Sequence, residues 1–171
     1  MTKLMTLMMV CMFAGFSVSA QSSNMEILNQ VNNPNLYKTI DLAYMDGNLS
    51  TFTNLVVLSG LSTSMQMTDK YRLFIPTNDA FRDMTIERFA ELTNQKNKTE
   101  LVAFVKRHIL PSTVSSNEFK GSQVISKGNS EEIAVAADNY GNVFIGGAKI
   151  VKSNIKALNG TIHIANDVIN I

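Results

Sequence analysis

The sequence is poor in cysteine, in net charge and in apolar runs long enough to span a bilayer, and each shortage removes a class of protein. Its one cysteine is Cys11, within the first twenty positions. Everything after it lacks a thiol for a disulfide, a thiolate nucleophile or a soft metal site. A fold built from Gln21–Ile171 must therefore be held together by its core. An exported chain of this kind is more typical of a bacterial envelope than of a disulfide-rich animal secretory domain, and its length makes staples unnecessary.

Charge is equally scarce. The chain has 15 Lys and Arg against 14 Asp and Glu, and setting aside Lys3 leaves 14 against 14 in the remainder. Nucleic-acid binders neutralise phosphates with clustered cations. Here the densest basic groups are Lys96 with Lys98 and Lys106 with Arg107, which read as solvated helix faces, so no nucleic-acid partner is expected. The longest apolar stretch, Leu4–Phe16, is too short for a membrane-spanning helix. With Lys3 before it and Ser17-Val18-Ser19-Ala20 after it, it has the layout of a secretory signal peptide cleaved after Ala20. The expected organisation is a signal peptide over 1–20 and a single domain over 21–171, with no transmembrane segment in the mature chain. A domain of that size buries roughly 70% of the surface its unfolded chain exposes.

What is present divides into a helical half and a strand-rich half, with the change near Pro111. Met25–Val31 reads as a short helix. Leu36, Ile40, Ala43 and Tyr44 recur at helical spacing until Asp46-Gly47, and Phe52, Leu55, Val56 and Leu58 form a second stripe, capped by Ser50 or Thr51 and ended by Gly60. Tyr71–Pro76 reads as a strand ended by proline, Thr85–Leu92 as an amphipathic helix, and Thr99 as the cap of a longer one. Beyond Pro111 the period changes from 3.6 to 2. Gln123–Ser126, Glu132–Ala137, Asn142–Ile145, Lys149–Lys152 and Thr161–Ala165 have strand composition, separated by Asn- and Gly-rich turns. Helices first and strands later predict an α+β domain with a mainly antiparallel sheet.

None of the usual catalytic arrangements is visible. Ser59 lacks the flanking glycines of a nucleophile elbow. His108 and His163 have no HExxH spacing, Gly146-Gly147 precedes a strand instead of a helix, and Glu131-Glu132 reads as a solvated strand start. Asp138-Asn139-Tyr140-Gly141-Asn142 is oxygen-rich but has one carboxylate, which suits a hairpin turn better than a calcium loop. No enzyme, cofactor or metal site is expected. Asn48, Asn97 and Asn159 each open a glycosylation sequon.

Three segments carry a family resemblance. Phe74-Ile75-Pro76-Thr77-Asn78-Asp79-Ala80-Phe81 resembles the first signature of fasciclin-like domains. Asn159-Gly160-Thr161-Ile162-His163-Ile164-Ala165-Asn166-Asp167-Val168-Ile169 resembles the second, with Asn166 where the family has Asp. His108-Ile109-Leu110-Pro111 is similar to the central element between them. The resemblance implies a fasciclin-like fold in which a helical N-terminal half packs on a mainly antiparallel β-sheet wedge. Within it, Pro76 would fix φ at a strand end, Thr77 or Asp79 would cap the following helix, and Phe81 would enter the core. Asn159-Gly160 would make a hairpin turn, and Ile162 and Ile164 would face one side of a strand with His163 on the other.

The functional expectation that comes with the resemblance is a non-catalytic module, secreted, periplasmic or on the cell surface. It would mediate adhesion to matrix or cell-surface protein or to polysaccharide. Some animal members recognise integrins through a Tyr-His element and an Asp-Ile pair. Here Arg107 and Asn154 stand in place of the tyrosine and the aspartate, so integrin binding is not expected. Arg107, His108, Ile109 and Leu110 with Asn154 and Ile155 form the candidate contact surface. The alternative implied by the family is a soluble carrier of an apolar small molecule such as a carotenoid, with Met65, Met67 and Met84 lining a groove.

Overall fold

The computed structural model describes residue 28 and residues 30–67, 70–111, 122–128 and 131–169. The expected signal segment Met1–Ala20 and most of the expected helix Met25–Val31 lie outside the described residues. Among the described residues, five α-helices occupy the first half: α1 (Thr39–Met45), α2 (Ser50–Ser59), α3 (Ser62–Met67), α4 (Ile86–Thr93) and α5 (Lys98–Arg107). The strands are β1 (Tyr71–Pro76), β2 (Ile109–Pro111), β3 (Gln123–Gly128), β4 (Glu131–Ala137), β5 (Val143–Ile145), β6 (Ala148–Ala157) and β7 (Gly160–Ala165).

The strands form one curled sheet in the order β2-β1-β7-β6-β5-β4-β3. All neighbours are antiparallel except β1 and β7, which run parallel with Leu73 opposite Ile162 and Ile75 opposite Ile164. β6 is the joint. Its first residues pair with β5 and its remainder with β7. Register shifts between Ile150, Lys152 and Ile155 interrupt the ladder there, and Asn154 takes φ 62°. Irregularities of this kind bend a strand and increase its twist.

Because side chains alternate along a strand, the central strands serve two cores. Leu73, Ile75, Ile162 and Ile164 face the helices and pack with Ile40, Phe52 and Leu55. Phe74, Leu110 and Ala165 face the other way and pack with Ile133, Val135 and Ile145 from the β3–β5 arm. The α+β expectation and its helix-covered wedge hold.

Several local expectations differ in the structure. Neither Ser50 nor Thr51 caps α2, since Ser50 already lies inside the helix. Leu58 is exposed, whereas Ser59 is buried with its hydroxyl donating to the Val56 carbonyl. Helix α5 begins at Lys98, so Thr99 sits in its first turn instead of capping it. α3 carries too few apolar residues to announce itself by periodicity.

Candidate functional site

His108 is completely buried, and the arrangement around it explains why. Its Nδ1 lies 2.9 Å from the Phe104 carbonyl, one turn back in α5. A carbonyl only accepts, so Nδ1 carries the proton. Nε2 then accepts the Ile169 N–H at 3.1 Å. The ring packs between those of Phe52 and Phe104, at centroid distances of 4.9 and 4.8 Å. Both nitrogens are hydrogen-bonded and the ring meets two aromatic neighbours inside the protein.

The expected contact surface therefore needs correcting. His108 and Leu110 are fully buried, and Ile155 is buried as well. Arg107 and Ile109 are half-buried and Asn154 is exposed. β1 and β7 separate β2 from β6, a gap of roughly 14 Å at ordinary strand spacing. Arg107 ends α5, next to β2 in the chain, whereas Asn154 lies on β6. Sequence spacing does not reveal this arrangement, because it depends on the parallel pairing of β1 with β7.

His163 points into the β-side core, as the strand alternation implied, and stacks on Phe74 at 4.9 Å with an interplanar angle of 15°. Its Nδ1 accepts the Asn154 N–H at 3.5 Å. Burial, then the positive charge of Arg72, lowers its pKa to about 4. The imidazole is neutral near pH 7.

Asn159 is a buried hub. Its Oδ1 accepts from the Thr39 N–H at 2.9 Å and the Thr39 hydroxyl at 3.2 Å, while Nδ2 donates to the Met65 carbonyl at 3.0 Å. The Tyr71 hydroxyl completes the group by bonding Thr39. α1, α3 and the β6–β7 turn are tied together through one amide. Its burial also makes the Asn159 sequon inaccessible in the folded chain. Gly160 is required for a reason other than the positive φ expected of a turn residue. It begins β7, and a Cβ there would fall on the Tyr71 carbonyl oxygen. Asn166, where the family has Asp, donates its N–H to the Lys149 carbonyl and accepts the Lys149 N–H on Oδ1, both at 3.0 Å. An aspartate could make both bonds, so the departure preserves the contact.

The first motif does more than fold the chain. Neither Thr77 nor Asp79 caps the 3₁₀ turn Asn78–Phe81: no side-chain cap bond forms, and Asp79 instead pairs with Arg82 at 3.1 Å. Asn78 caps a different helix. Its Oδ1 accepts the Thr51 N–H of α2 at 2.9 Å, and Nδ2 donates to the Gly47 carbonyl at 2.8 Å. A cleft of about 680 Å³ opens beside these residues, lined by Asp46, Asn48, Thr77, Asp79, Arg82 and Lys152 among others. A groove of about 480 Å³ adjoins it, with Phe81, Met84, Ile86 and Phe89 in its wall. Both share Asn78 and Arg82. Of the three methionines expected in a groove, only Met84 lines it. Met65 is core and Met67 is exposed.

Elsewhere, the Asp138 carboxylate is engaged in its own turn. Oδ1 accepts the Tyr140 and Asn142 N–H groups, and Oδ2 the Asn142 side chain. Those bonds, led by the Asn142 side chain, hold it below the usual carboxylate range. Among the described residues, no helix is long and apolar enough to cross a membrane.

The family model of the fasciclin domain matches residues 47–171, which takes in all three motifs and the cleft apart from Asp46. This chain belongs to the fasciclin-domain family. It is 23% identical over 143 residues to Protein sll1483 of Synechocystis sp., covering 84% of this chain and 78% of that one. A Plasmodium falciparum protein named heme ligase is 27% identical over 151 residues, covering 74% and 73%. Human periostin is 28% identical over 120 residues, 70% of this chain but 13% of periostin. The FAS1 domain pair of the insect cell adhesion molecule fasciclin I superposes with a TM-score of 0.56 at 13% identity, over 79% of this chain and 51% of that one. Fasciclin domains are commonly adhesion or binding modules and are generally non-catalytic.

Proposed function

We propose that this fasciclin domain is a non-catalytic adhesion module that acts outside the cell membrane and contacts matrix or cell-surface protein or polysaccharide. One observation carries the reading beyond family membership. Both histidines of the chain, its natural general bases near neutral pH, are engaged in interior packing. Among the described residues, a polar cleft and an apolar groove open at the surface, and both suit binding. Export supports the same reading, with Met1–Ala20 acting as a signal peptide and Gln21–Ile171 as the mature domain. N-terminal sequencing of exported protein should begin at Gln21, and retention of Met1 would refute the processing step. An array of glycans and matrix proteins probed with the mature protein tests adhesion directly, and absence of any retained partner would sink it.

A second reading has its own observation. The groove walled by Phe81, Met84, Ile86 and Phe89 could hold an apolar small molecule, and the Plasmodium relative carries the name heme ligase. Protein purified from its native host should then show a copurifying visible absorbance band. A colourless protein that binds matrix would exclude the carrier.

A further inference from the structure

Three segments meet at the end of the molecule where β6 turns into β7. The ladder closes with Ala157 opposite Gly160, so Leu158 and Asn159 form the turn. The Leu158 N–H donates to the Tyr37 carbonyl at 2.8 Å, which brings the 3₁₀ turn Pro34–Leu36 alongside. The Asn159 amide, through its bond to the Met65 carbonyl, holds α3 there. Each segment leaves large apolar side chains in solvent: Leu36 at 67% exposure, Tyr37 at 40%, Met67 at 79% and Leu158 at 62%. Single exposed apolar residues are ordinary, but several on adjoining segments mark an interaction surface.

The charges around these side chains select the partner. Lys38 follows Tyr37, Lys156 lies two positions before Leu158, and Lys70 precedes Tyr71, whose N–H donates to the Asn159 carbonyl at 3.4 Å. Lys70 and Lys156 are exposed and Lys38 is half-buried, and none of the three forms a salt bridge among the described residues. The neighbouring carboxylate of Asp41 is half-buried and accepts from the Gln66 side chain at 3.2 Å. A second copy of the chain would set these lysines against each other across a two-fold axis. Anionic phosphates above an apolar layer answer both features, because apolar tips can enter the headgroup region while lysines stay at its charged surface. Tyrosine suits the same boundary, with an apolar ring and a polar hydroxyl. We propose that this end of the domain docks on an anionic lipid bilayer, with Leu36, Met67 and Leu158 at headgroup depth and Lys38, Lys70 and Lys156 on the phosphates. The surface includes no residue of the cleft or the groove, so this inference goes beyond the adhesion reading and does not depend on it.

The test measures cosedimentation of the full exported protein with vesicles of phosphatidylcholine, alone or mixed with phosphatidylglycerol. Binding should require phosphatidylglycerol and fall as salt rises, because salt screens the lysines. Leu158→Ser should weaken it roughly tenfold, the scale of withdrawing a leucine side chain from an apolar phase. Lys156→Gln should weaken it roughly fivefold, the worth of one basic group near an anionic leaflet. Both positions are exposed, so the urea midpoints of these variants should match wild type. Leu158→Trp adds the chain's sole tryptophan, and its emission should shift to the blue on anionic vesicles. Ile86→Ser removes another exposed apolar side chain, on α4, and should bind like wild type. Absence of cosedimentation overturns the proposal, as does equal binding to both kinds of vesicle. Equal weakening by Ile86→Ser and Leu158→Ser would mean general stickiness and sink the assignment of this surface. A dimer in vesicle-free solution that Leu158→Ser dissociates would give the surface to a second copy and overturn the lipid partner.

Discussion

The Nε2 of His108 accepts the backbone N–H of Ile169 at 3.1 Å, fastening the C-terminal segment to the end of α5. Ile169 is itself buried in the β-side core, so a single imidazole joins the helical layer to the sheet wedge. His108→Phe keeps a ring of similar size but leaves the Ile169 N–H and the Phe104 carbonyl without their partner. Unsatisfied buried groups cost about 1–3 kcal/mol each. The variant should lose about 2–5 kcal/mol in urea denaturation. A change below about 0.5 kcal/mol, the range of exposed substitutions, would show that the ring is not a clamp.

Asn78 caps α2 from the far side of β1, and its amide satisfies donor and acceptor together. Asn78→Ala removes both bonds together with the contacts to the Ser50 hydroxyl, and should cost about 1–2 kcal/mol, near the upper range for loss of an N-cap. Asn78→Asp keeps the acceptor for the Thr51 N–H and loses the donor to Gly47, so it should fall between wild type and alanine. Equal midpoints for all three proteins in a denaturant series would remove the capping role.

Phe81 is buried against Phe89 and Phe104, at centroid distances of 6.3 and 6.4 Å. Phe81→Ala should destabilise the domain by about 3–5 kcal/mol, the range for a core aromatic. The residue also walls the apolar groove, so the variant should enlarge it. Loss of less than about 1 kcal/mol would place Phe81 outside the core.

Periodicity and turn chemistry made most of this fold legible. Every strand expected beyond Pro111 is present, and Gly60 ends α2 at φ 78°. What stayed hidden depends on long-range partners. The cap of α2 is supplied from 27 residues away, and nothing near Ser50 signals it. The constraint on Gly160 comes from the Tyr71 carbonyl across the parallel β1–β7 pair. His108 looked like a surface residue because its burial depends on a contact with Ile169, 61 positions later. The first motif carries folding chemistry in its local pattern, and its cleft needs Asp46 and Lys152 from distant elements. Local pattern identifies elements, whereas a cleft is a property of their assembly.

The pH dependence of stability turns on His163. In the unfolded chain it has the ordinary value near 6.5, and in the fold burial and Arg72 lower it to about 4. Between these values the unfolded state binds more protons, so stability rises with pH across that window and is lost as pH falls. The loss from this group should be on the order of 3 kcal/mol between pH 6.5 and 4, since each pH unit of difference corresponds to about 1.4 kcal/mol. His163→Asn removes the titration without adding a charge beside Arg72. Urea midpoints measured across this window should fall more steeply for wild type than for the variant. The variant will be less stable at pH 7, because the stack on Phe74 is lost, so the comparison rests on slopes. Parallel slopes would mean that His163 is not buried in its neutral form.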